Sequence, residues 1–83
     1  MKYNKYRIDH AREDYKRAYS MVRRLPAYEI SNMIAAGASK VLRAAVVAYV
    51  SASPSYKDSM LAQIGQKNRP FFTVAKLRAH YAI

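Results

Sequence analysis

Residues 40–51 read KVLRAAVVAYVS, and this stretch decides the fold. Val41, Leu42, Ala44, Ala45, Val46, Val47, Ala48, Tyr49 and Val50 leave a helix here almost no polar face. A helix that is apolar nearly all round is a buried one, and its alanines let neighbours approach closely. The wider apolar run, residues 33–50, has the length of a membrane span. It carries Lys40 and Arg43 near its middle, however, and each is costly in hydrocarbon. Its uncharged part, residues 44–50, is far too short to cross a bilayer. The stretch is therefore expected to be the central element of a soluble core.

Towards the N-terminus, residues 27–36 place Ile30, Met33, Ile34 and Ala35 at helical spacing, followed by Gly37. Gly37 is either a helix stop or a close-packing point in a longer helix, and Ser39 suits a cap. Residues 27–52 thus read as one helix or two. Pro26 closes the preceding helix at Leu25 and suits the first turn of the next. In that preceding helix Ile8, Ala11, Tyr15, Ala18, Tyr19 and Val22 recur at steps of three and four. The opposite stripe holds Lys5, Asp9, Arg12, Lys16, Ser20 and Arg23. Glu13 and Arg17 form an i,i+4 pair worth about 0.3–0.5 kcal/mol. Arg23 and Arg24 suit the negative end of the helix dipole. Residues 1–7, with Lys2, Lys5 and Arg7 around Tyr3 and Tyr6, read as a flexible basic arm.

Towards the C-terminus, Ser53 with Pro54, or Ser55 with Asp58, starts a short helix. Met60, Leu61 and Ile64 are its expected buried side, Gly65 its stop, and residues 66–69 a polar turn. Pro70 then opens a last helix, with Phe71, Val74, Leu77 and Tyr81 on one side and Arg69, Thr73, Lys76 and His80 on another. The expectation is an all-α, compact bundle of four to five short helices around the Ala/Val-rich one. At 83 residues it is a single helical domain, 1–83, with a thin core. A homodimer would add buried area.

Charge sets the expected partners. Fifteen Lys and Arg against five Asp and Glu give a net charge of +10. Eight basic and three acidic residues fall in 1–25, five and one in 54–83, and two and one between. The excess belongs to the first and last helices, and the middle is close to neutral. Such a surface attracts polyanions. The candidate contact residues are Lys5 and Arg7 in the arm, Arg12, Lys16, Arg17, Arg23 and Arg24 in the first helix, and Arg69, Lys76 and Arg78 at the last. Tyr3 and Tyr6 suit stacking on bases, whereas Tyr15 and Tyr19 read as core rings with wet hydroxyls.

Catalysis finds little support. The absence of cysteine excludes thiol chemistry and Cys-based zinc sites. His10 and Asp14 are four apart, the spacing of an ordinary surface pair, and two glycines are too few for a phosphate loop. The chain is expected to be no enzyme and to need no metal or cofactor.

Leu25-Pro26, Gly37 and residues 39–50 (SKVLRAAVVAYV) resemble the two helices of ribbon-helix-helix repressors. That resemblance implies a dimer with a strand before the Leu-Pro, inserted in the major groove. Here residues 19–25 read as the end of a helix, the first family helix would be a turn short, and the serine-acidic opening of the second is missing. The resemblance covers about a third of the chain and is not adopted.

Two functions fit the sequence. One is a small nucleic-acid-binding protein that grips the phosphates of DNA or RNA. The other is an accessory protein that docks on an acidic protein surface. In size and style the chain resembles bacteriophage proteins that inhibit host defence or transcription. Either reading places it in the cytoplasm (the host's, if phage-encoded) and away from membranes.

Overall fold

The computed structural model describes residues 5–37, 40–52 and 60–81, the first six of them by their backbone alone. They form five helices: α1 (Lys5–Arg24), α2 (Ala27–Ala35), α3 (Lys40–Ala52), α4 (Met60–Asn68) and α5 (Val74–Tyr81). No strand occurs among the described residues, and Leu25-Pro26 follows a helix. The all-α bundle expected from the pattern is what forms.

Helix α3 is the hub, in contact with α1, α4 and α5. Leu42, Ala44, Ala45, Val46 and Val47 are buried in it. Around them close Tyr15, Ala18 and Val22 of α1, Ile30 of α2, Leu61 of α4, and Leu77 and Tyr81 of α5. Burial of each Val, Leu or Ile stabilises by about 1.5–3 kcal/mol.

The helix ends follow local chemistry. The Leu25 N–H donates to Met21 O, and Pro26, with extended ψ of 150°, then accepts from the N–H groups of Glu29 and Ile30. Gly37 has φ +93°, which only glycine adopts at little cost, and it separates α2 from α3. Residues 27–52 are therefore two helices. The caps expected at Ser39, Ser53 and Ser55 lie outside the described residues.

Three expectations are corrected. The described part of α1 runs from Lys5, so the backbone is already helical at Lys5 and Arg7, before the Ile8 at which the apolar period starts. Neither Gly nor Pro occurs among residues 5–8 to stop the helix. Residues 1–4 lie outside the described residues.

Gly65 does not stop α4, which runs on to Asn68. A Cβ at Gly65 would stand 3.3 Å from Val50 Cβ, so this glycine is where α4 closes on α3. Asn68 ends the helix instead. Its side-chain amide donates to Ile64 O, and its carbonyl accepts from the N–H groups of both Phe71 and Phe72.

Nor does Pro70 open the last helix. Helix α5 starts at Val74, preceded by Thr73, whose Oγ1 accepts from the Lys76 N–H at 3.2 Å. Phe71 consequently sits in the turn, 73% exposed, and not on the buried side of a helix.

Candidate nucleic-acid interface

The two most basic segments meet. Helices α1 and α5 are in contact, and the Tyr15 and Tyr81 rings stack between them at 4.5 Å, 18° from parallel. Tyr19 lies 6.0 Å from Tyr15 and makes an edge contact with Tyr49 of α3 at 5.7 Å. This aromatic cluster ties three helices together, each pair being worth about 0.5–1.5 kcal/mol beyond its burial.

On one side of α5 a groove of about 500 Å³ opens between α1, α3 and α5. Tyr15 and Tyr19 line it, with Val74 as a wall and the small side chains Ala48, Ser51 and Ala52 beneath. Lys16 of α1 and Arg78 of α5 border it as its two cations. Two of the lining residues, Tyr15 and Ser51, carry hydroxyls that are buried away from solvent without a hydrogen-bond partner. An unmade hydrogen bond on a buried group costs about 1–3 kcal/mol. Tyr15 is 97% buried as a residue, being 3% exposed. Burial, then the neighbouring Tyr19 and Tyr81, pushes its phenol up to about 12. Tyr81 is also raised, by burial and by Asp14. Both phenols are neutral hydrogen-bonding groups at physiological pH. The Tyr15 hydroxyl is thus dry, where the sequence suggested a wet one.

On the other side of α5 a second recess of about 590 Å³ is lined by Phe71, Phe72 and Tyr81, with Lys40, Lys76 and His80. At about 100° per residue, Val74 and Arg78 lie on one flank of the buried Leu77–Tyr81 seam, and Lys76 and His80 on the other. The Tyr15–Tyr81 stack stands between the two hollows.

Each candidate residue has a definite place. Lys16, Arg78 and Lys76 border the two hollows. Arg12 and Arg23 continue the Lys16 stripe one turn before and two turns after; Arg23 is exposed, while Arg12 is half-buried with Nε unpartnered. Arg69 is exposed at the turn that carries Phe71. Arg17 and Arg24 are exposed but lie about 80–100° round α1 from Lys16, so the fold does not bring them to the groove. Lys5 and Arg7 are helical in backbone, and their side chains lie outside the described residues, as do those of Tyr3, Tyr6 and His10.

Sequence reasoning missed Lys40, His80, Phe71, Phe72 and Ser51. Lys40 and Ser51 were absorbed into the core helix, and Phe71 was placed on the buried face of α5. The Thr73 and Lys76 spacing of an N-cap was the one signal that would have moved the start of α5 past Phe71.

Among the described residues, no group of three His, Asp or Glu side chains could hold a metal ion, and no helix is long and apolar enough to cross a membrane. No protein-family model matches the chain, and neither does any curated protein or solved structure with which it was compared.

Proposed function

We propose that the protein binds nucleic acid through phosphate contacts from the Arg and Lys side chains of α1 and α5, and performs no chemistry on it. One observation carries the reading: Lys16 and Arg78, from the two segments with the largest positive excess, border the same groove. Lys76, Arg23 and Arg69 are exposed and extend the cationic surface. Each neutralised phosphate releases counterions, so affinity depends steeply on salt.

The test is binding of labelled duplex DNA and single-stranded RNA to nuclease-treated protein across a salt series. Log affinity falls linearly with log salt, with a slope of about −3 for roughly four phosphate contacts. A flat response, or no binding at low salt, overturns the reading.

A second reading rests on Phe71, which is 73% exposed in the same turn as the exposed Arg69. Exposed aromatics next to arginine are typical anchors of protein interfaces. On that reading the chain is a phage-type accessory protein that docks on an acidic surface of a host machine. A stoichiometric protein complex that survives nuclease treatment favours it.

A further inference from the structure

We infer that the nucleic acid is single-stranded, its unpaired bases entering the two hollows beside α5 while its backbone crosses that helix between Lys76 and Arg78. The inference rests on the nucleic-acid reading above and adds the substrate class.

The hollows, about 500 and 590 Å³, are each large enough for a planar organic ring with room to turn. Each pairs aromatic side chains with cations from two different helices: Tyr19 with Lys16 and Arg78, and Phe71 with Lys40 and Lys76. A single strand alternates in the same way, presenting free base faces between phosphates. Stacking of each base on an aromatic ring is worth about 1–3 kcal/mol and tolerates any sequence. A duplex has its base faces already stacked, and extruding one costs a few kcal/mol.

Between the hollows, the outward face of α5 is Ala75 and Ala79, both small and exposed, so a strand meets no obstruction in crossing it. The cations beside that face are Lys76 and Arg78, both exposed.

An acidic protein is a poorer fit. Carboxylates would satisfy Lys16 and Arg78 but leave the aromatic rings without use.

The experiment compares oligothymidylate, a single-stranded RNA and a duplex of matched length, each end-labelled, against the wild-type chain and Phe71→Ala. Phe71 is exposed, so its loss does not threaten the fold. Single strands bind about tenfold or more tightly than the duplex. Phe71→Ala weakens single-strand binding about five- to tenfold and leaves duplex binding unchanged. Equal binding of duplex and single strand, with Phe71→Ala silent, overturns the inference and leaves the phosphate-binding reading standing. No binding of any polymer at low salt overturns both. A nuclease-resistant protein complex that Phe71→Ala disrupts assigns the hollows to a protein partner and also overturns the inference.

Discussion

Helix α3 meets α4 on one side and α5 on another, and the two junctions are finished differently. Towards α4 the contact is closed: Gly65 gives up its side chain so that its backbone comes to within van der Waals reach of Val50, with Leu61 and Ala62 sealed beside it. Towards α5 the small residues Ala48, Ser51 and Ala52 meet no matching approach, and a groove remains. Small residues thus serve two ends. Where the facing helix advances they make a tight seam, and where it stays back they leave a groove.

The contrast is open to direct attack. The largest effect is expected at the closed side. Gly65→Val drives two methyl groups into Val50 and lowers unfolding free energy by about 1–3 kcal/mol in a urea titration. A neutral result would show that the α3–α4 seam is looser than its geometry. Next comes the open side, where Tyr15→Phe removes a buried hydroxyl with nothing to bond. Stability rises by about 1 kcal/mol. A loss of stability would mean that the hydroxyl has a partner in the folded protein.

The same residue governs the alkaline limb. Its folded-state pKa is raised from 10.0 to about 12 by burial, so the folded state holds the phenol proton more tightly than the unfolded chain does. Stability is undiminished below pH 10 and falls as pH rises towards 12. Tyrosinate absorbance followed with the unfolding midpoint checks this, and Tyr15→Phe should flatten the fall. The smallest change in stability is expected for Ala48→Leu, which fills the groove instead of a packed seam. It costs less than about 1 kcal/mol and blocks binding, whereas a cost like that of Gly65→Val would erase the distinction between the two sides.

Much of the scaffold could be read from residue type. The burial of residues 42–47 followed from an apolar stretch with no polar face, and α1 from its three-and-four periodicity. Pro26 and Gly37 separated helices because each restricts or frees the backbone in a known way. Gly65 was misread because sequence shows a missing side chain but not what fills its place. Here Val50 does, and the helix continues through it. Phe71 was misplaced because α5 starts four residues after Pro70, which leaves Phe71 in the turn before the helix and not on any helical face. The basic faces of α1 and α5 were legible as such. Their meeting depended on Tyr15 stacking on Tyr81 across sixty-six positions of chain, a pairing that no local pattern encodes.

The measurement closest to the central claim is the salt dependence of single-strand binding for Lys16→Ala, Arg78→Ala and the double variant. If the two cations grip one backbone across the groove, each single change makes the log–log slope shallower by about 0.7, and the double change by about 1.4. A slope that keeps its wild-type value in all three variants would contradict the account and remove the groove from the binding surface.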